Sequence, residues 1–160
     1  MLRACKIRKW CGAVQVVKYQ QEFLSQIKDE MEPLIAKDWD EVGQDHIPLD
    51  VDWEAYFDLE ESGVLQLFTA RKEGLLVGYF LTMTVKSLQS RNHFFVTNDA
   101  IYVDPEHRGV GKGLFQFVEN CLKEDGHTNL IVTTTEKFPI DSMMYKMGYK
   151  RIETRFEKVL

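Results

Sequence analysis

The spacing of apolar residues along the chain changes its period several times, and each change predicts an element. Val14, Val16 and Tyr19 open with a short β-like segment. Phe23, Leu24, Ile27, Met31, Leu34 and Ile35 then recur at three- and four-residue spacing, the mark of an amphipathic helix, with a break expected near Pro33. Residues 39–49 are acidic and carry Gly43 and Pro48, so they read as a loop. Asp52 is placed to cap a second helix over residues 53–61, which Gly63 would end.

Beyond that point β-branched and aromatic residues dominate. Residues 64–71 and 75–85 flank Lys72-Glu73-Gly74, which predicts a β-hairpin. Residues 94–103 read as a third long strand, closed by Asp104-Pro105 because proline cannot donate to a ladder. Val110, Leu114, Phe117, Val118, Cys121 and Leu122 form one stripe of a helix that stops at Gly126. Residues 129–135 predict a buried strand and residues 139–147 a short helix ended by Gly148. A terminal strand, single or doubled, is expected over residues 149–160. Helices, then a hairpin, then β-α-β-α-β make an α/β protein with a mixed sheet covered by helices on both faces. With no repeat, low-complexity tract or linker, residues 1–160 read as a single domain.

Composition narrows the function classes. Hydrophobic residues are 44% and charged residues 28%, ordinary values for a globular chain. A net charge of -5 argues against direct nucleic-acid binding, which draws on a basic field. Cys5, Cys11 and Cys121 are odd in number and lie away from histidines at metal-ligand spacing, so free thiols and no metal are expected. The amino terminus lacks the apolar run of a secretory signal, and no segment is apolar enough for a membrane span. A cytoplasmic protein without membrane contact is the expectation.

The chemistry concentrates between the third long strand and the helix after it, at Arg108-Gly109-Val110-Gly111-Lys112-Gly113. Glycines let backbone N–H groups approach a ligand, and a helix amino terminus attracts anions. Arg108 and Lys112 add positive charge, so the turn suits a pyrophosphate. It is not a P-loop, because Glu106 and Gly113 stand where that motif needs Gly and Ser or Thr. Nor is it a dinucleotide fingerprint, whose final small residue would fall on Leu114 or Gln116.

Arg-x-x-Gly-x-Gly after a strand and Asp-Pro resembles the acyl-CoA-binding motif of the GNAT superfamily of N-acetyltransferases, and the likeness extends over about residues 64–149. It implies a GNAT-like fold with a mostly antiparallel mixed sheet, and acetyl-CoA as co-substrate. Main-chain groups of Ile101, Tyr102 and Val103 would meet the pantetheine arm. Arg108 and the amides of Gly109, Val110, Gly111, Lys112, Gly113 and Leu114 would hold the pyrophosphate. Downstream, Tyr145-Lys-Met-Gly148-Tyr149 is similar to the family's Tyr-x-x-x-Gly-Phe segment, which implies that Tyr145 protonates the leaving thiolate. Phe138 departs from the pattern, standing where many relatives carry an asparagine that contacts the cofactor.

For the base, Asp99 lies inside an otherwise apolar strand, on one face with Thr97, Ile101 and Val103 by the two-residue period. Burial would raise its pKa and suit it to take a proton or hold a water; a structural role in pairing is the alternative. His107 reads as an exposed residue on the approach to the turn, and His93 as a loop or cleft-lining residue. The acidic run 38–45 would attract a cation or form a solvated face. Residues 98–108 and 49–53, with Tyr56, are also similar to hypothetical acetyltransferases of bacteriophages, which would place the protein in a host cytoplasm. The function implied is acetyl transfer to a primary amine, on a small molecule or a protein lysine, by direct attack. A catalytically silent coenzyme-A-binding module acting on a host partner is the other reading, and a homodimer is the commonest assembly for such a chain.

Overall fold

The computed structural model describes residues 16–44, 46–107 and 109–160. Val14, Cys5, Cys11 and Arg108 lie outside the described residues. The elements in chain order are β1 (Val17–Glu22), α1 (Leu24–Val42), α2 (Trp53–Glu61), β2 (Leu65–Lys72), β3 (Leu75–Lys86), β4 (Phe94–Val103), α3 (Val110–Glu124), β5 (Leu130–Ile131) and α4 (Asp141–Lys146). One sheet orders the strands β1-β2-β3-β4-β5. Its pairs are antiparallel except for β4 with β5.

Local chemistry explains most of this. The β2–β3 turn puts Glu73 at φ 53° and Gly74 at φ 87°, the two positive φ values that let a two-residue hairpin follow the strand twist. Asp52 caps α2 as expected, its carboxylate accepting from the Ala55 amide at 3.0 Å. The first turn of α1 has no cap of its own. Glu60, on α2, supplies it by accepting from the amides of Leu24 and Ser25 and from the Ser25 hydroxyl at 2.7 Å. Arg71 on β2 then ties β1 and α1 together, donating to Glu22 at 2.9 Å and to Glu30 at 2.7 Å.

Four expectations need correction. The break in α1 falls at Ile27 (φ −124°, ψ 21°), and Pro33 sits inside the helix beyond it. The same helix continues to Val42, through residues expected in a loop, because Asp38 is buried against the sheet and holds that turn in place. At the other end, β5 is only two residues long, and residues 150–160 pair with no strand among the described residues.

The sheet separates two cores. On one face α3 and α4 bury Phe68, Phe80, Val96, Leu114, Phe115, Val118 and Met144, among others. On the other, α1 and α2 cover Leu24, Met31, Leu67, Tyr79, Leu81 and Tyr102. Residues between the two helical layers are thus reached along β3 and β4.

Candidate active site

The strand β4 carries the first feature. Leu81 pairs with Ala100 and Thr82 with Asn98, so Asp99 is the extra residue of a β-bulge. A bulge inverts the alternation of side chains, and it does so here. Val96, before it, packs with the α3 core, as do Ile101 and Val103 after it, while Ala100 and Tyr102 pack with the α1–α2 core. Asp99 faces α2 and accepts from the Tyr56 hydroxyl at 2.5 Å. The expectation that Asp99, Ile101 and Val103 share a face is therefore corrected, since the two-residue period holds only for an unbroken strand.

On its outer edge β4 pairs with β5 only at Val96 and Thr97. The strands then part, and the Asn98 side chain spans the gap, accepting from the Thr133 amide at 2.7 Å and donating to its carbonyl at 3.2 Å. Among the described residues no strand pairs with the outer edge of β4 from there to Val103, while Ile101, Tyr102 and Val103 remain paired to β3 on the inner edge. That leaves main-chain groups open beside the next feature, the turn.

The turn begins at Asp104, whose carboxylate accepts from Lys37 on α1 at 2.7 Å and from the Glu106 amide at 3.0 Å. The Lys37 ammonium holds it below the usual carboxylate range. Gly109 has φ +91° and stands at the N-cap of α3, where no side chain caps the helix. By ordinary helix geometry the open amides are those of residues 109–112, whereas Gly113 and Leu114 come next and donate within the helix. The glycines differ in what surrounds them. A Cβ on Gly109 would meet nothing within 4 Å and one on Gly111 only Val103, at 3.8 Å. On Gly113 it would lie 2.2 Å from the Tyr19 hydroxyl, which itself donates to the Val110 carbonyl at 3.1 Å. Gly113 therefore lets β1 pack on α3, and Gly109 gives the chain its left-handed step into the helix. Lys112 is exposed and Leu114 buried. His107 is half-buried rather than exposed, and its Nδ1 is enclosed without a hydrogen-bond partner among the described residues.

Across the sheet lies a group of carboxylates and phenols. Asp38 is only 9% exposed and accepts from the buried Tyr79 hydroxyl at 2.7 Å. Desolvation, with smaller contributions from Glu41 and Asp99, pushes its pKa up to about 6, while the Tyr79 hydrogen bond opposes the rise. Burial, and then the Asp99 carboxylate, push the Tyr56 phenol up. The burial expected of Asp99 is thus found at Asp38, and Asp99 itself is exposed. The sequence does hold a signal for Asp38, which falls on the buried stripe of α1 with Leu24, Met31 and Leu34, where a carboxylate is costly unless partnered. Trp53, Tyr56 and Phe57 pack at the edge of this core, with ring centroids about 6 Å apart.

Tyr145 stands apart from both groups. Met144 on α4 is buried, with Ile140, Met143 and Met147 packed beside it, so the greasy stripe falls where its spacing predicts. Tyr145 is off that stripe and exposed. It lines an open groove of about 880 Å³ together with Thr133, Thr135, Asp141 and Arg151, and neither Asp99 nor the turn residues reach this groove. Phe138, between β5 and α4, is 57% exposed, and His93 lies in the exposed loop before β4. Among the described residues no group of three His, Cys, Asp or Glu side chains could hold a metal ion. Nor is any helix there long and apolar enough to cross a membrane.

No family and no curated protein matches the sequence of this chain. Its fold does match solved structures. A ribosomal-protein-alanine N-acetyltransferase from Brucella melitensis biovar Abortus 2308 superposes with a TM-score of 0.66 at 19% identity, covering 90% of this chain and 98% of that one. A predicted acetyltransferase from Clostridium acetobutylicum, solved with acetyl-CoA, gives 0.68 at 12% identity over 89% and 96%. A transcriptional regulator from Bacillus halodurans C-125 gives 0.71 at 18% identity over 90% and 99%. At such identities the likeness is one of fold, and one fold serves many functions. The chain has the mixed-sheet, helix-covered fold of the GNAT acetyltransferases.

Proposed function

We propose that this protein is an N-acetyltransferase that moves the acetyl group of acetyl-CoA to a primary amine by direct attack. The observation that carries the reading is the meeting of two open sets of backbone groups. One is the outer edge of β4 at Ile101, Tyr102 and Val103; the other is the uncapped amino terminus of α3 at residues 109–112. A pantetheine arm suits the first and a pyrophosphate the second, with Arg108 and Lys112 adding charge. That this fold is also seen with acetyl-CoA bound in the Clostridium protein supports the assignment.

The amine would approach from the α1–α2 face. There Asp38 or Asp99 would take its proton, directly or through water; the hydrogen bond from Tyr56, which turns Asp99 toward that face, supports this reading. Attack on the thioester would form a tetrahedral intermediate whose oxyanion a β4 amide stabilises, and Tyr145 would return a proton to the thiolate. Mass spectrometry of cell extract incubated with the protein and isotopically labelled acetyl-CoA should yield a labelled amine. Tyr145→Phe should lower kcat by about tenfold or more with acetyl-CoA affinity unchanged, and Arg108→Glu should weaken that affinity. Binding of acetyl-CoA without any labelled product, with Tyr145→Phe silent, would instead identify a coenzyme-A-binding module. Calorimetry showing no association with acetyl-CoA would remove both readings.

A further inference from the structure

In a parallel ladder, alternate residues of one strand bond through their N–H and C=O to the two residues that flank their partner. Val96, opposite Leu130, follows this rule, its amide donating to the Asn129 carbonyl at 3.4 Å. Continuing the register would set Asn98 opposite Val132, with the Asn98 main-chain carbonyl next in line for the Thr133 amide. The Thr133 amide goes instead to the side chain of the same residue, Asn98 Oδ1, at 2.7 Å. Asn98 Nδ2 in turn donates to the Thr133 carbonyl at 3.2 Å. The main-chain carbonyl of Asn98 is left to the Thr97 hydroxyl at 3.4 Å.

Asparagine suits this exchange because its side chain ends in the chemistry of the backbone, a carbonyl acceptor beside an N–H donor. Its carboxamide occupies both ladder groups of Thr133 while holding them one side chain's length away from β4. Thr133 can then neither close onto the strand nor drift from it. Asn98 also directly precedes the bulge at Asp99, so two devices part the strands at one point. The bulge bends β4, and the carboxamide sets how far the partner segment stands off. On one side of the opening lie the main-chain groups of Ile101, Tyr102 and Val103; on the other, Thr133 enters the groove that it lines together with Tyr145.

We infer that Asn98 is a positioning residue whose side-chain amide stands in for a ladder peptide as a spacer, fixing the width of the β4–β5 cleft to that of a pantetheine arm. The inference rests on the proposed function, and it adds a residue that acts through Thr133 rather than on the donor itself.

Calorimetry with two ligands tests it: acetyl-CoA, which carries the arm, and 3′-phospho-ADP, the nucleotide portion of coenzyme A, which lacks the arm and would sit at the turn alone. Asn98→Leu keeps the volume and loses both bonds. It should raise the dissociation constant for acetyl-CoA by about tenfold while leaving that for 3′-phospho-ADP within about twofold of the wild type. Asn98→Asp keeps the acceptor, but its ionised carboxylate faces the Thr133 carbonyl without a donor. Its deficit for acetyl-CoA, measured against the wild type at the same pH, should be present at neutral pH and shrink as pH falls toward about 4, where the carboxyl regains a proton to donate. Equal weakening of both ligands by Asn98→Leu would mark a general loss of structure and overturn the inference, as would unchanged affinity for both. A deficit in Asn98→Asp that ignores pH would overturn the two-bond spacer. A wild type that binds neither ligand removes the proposed function and this inference with it; a wild type that binds both, matched by its variants, removes the inference alone.

Discussion

Asp38 occupies a position where the stripe of α1 would ordinarily place a leucine, and it keeps its carboxylate there through one hydrogen bond from Tyr79. Its folded pKa of about 6 lies above the ordinary value near 3.9, so the folded state holds the proton more tightly than the unfolded one. The contribution of Asp38 to stability should therefore be full below about pH 4 and fall by up to about 3 kcal/mol as pH rises through 6. Asp38→Asn keeps an acceptor for Tyr79 and removes the titration. The variant should melt at a higher temperature than the wild type at pH 8, with the gain vanishing near pH 4; thermal melts across that range read it directly. In catalysis the same residue should give the wild type an acidic limb near pH 6 in kcat/KM, absent from a slower Asp38→Asn. A limb retained in the variant would take the proton path away from Asp38. Asp38 was legible only through its place on the stripe of Leu24, Met31 and Leu34, because the acidic run at 38–45 looks solvated, and the bulge that turns Asp99 toward Tyr56 was not legible, because it depends on register with β3.

At the scale of elements, what could be read from sequence was what local chemistry decides. The hairpin turn at Glu73-Gly74, the Asp52 cap of α2 and the stop of α3 at Gly126 are all settled within a few residues. Asp52→Ala should accordingly cost about 1 kcal/mol, seen as a lower denaturation midpoint. What escaped depends on distant partners. The cap of α1 comes from Glu60, 35 or 36 residues away, and β5 is cut short because β4 departs from it after Thr97. The glycines of the turn divide in the same way. Gly113→Ala drives a methyl into the Tyr19 hydroxyl and should destabilise by about 1–3 kcal/mol. Gly111→Ala, with Val103 3.8 Å away, should leave the melting temperature within a degree or two while still weakening acetyl-CoA binding. Equal destabilisation by the two would contradict the distinction between a packing glycine and a ligand-facing one.

For the molecule as a whole, the two helical layers separate two electrostatic environments. The α3 side presents a helix amino terminus with Lys112 beside it. On the α1–α2 side Asp38, Glu41, Asp99 and Asp104 gather around phenols, and Tyr102 is pushed up to about 12 by burial and then by Glu41, Asp104 and Asp38. With a net charge of -5 over the chain, the turn is a local exception and the α1–α2 face is not. On the proposed function an anionic donor and a cationic acceptor would be drawn to different faces, which meet at β4. Salt discriminates this from a neutral cleft, since the Debye length shrinks from about 30 Å at 0.01 M to about 3 Å at 1 M. With a multiply cationic amine, kcat/KM should fall several-fold across that range, and Glu41→Gln should flatten the decline. An acceptor bearing its own carboxylate should show a flat or rising profile under the same conditions. Identical slopes for the two acceptors would mean that the field of the α1–α2 face plays no part in bringing the amine to the strand.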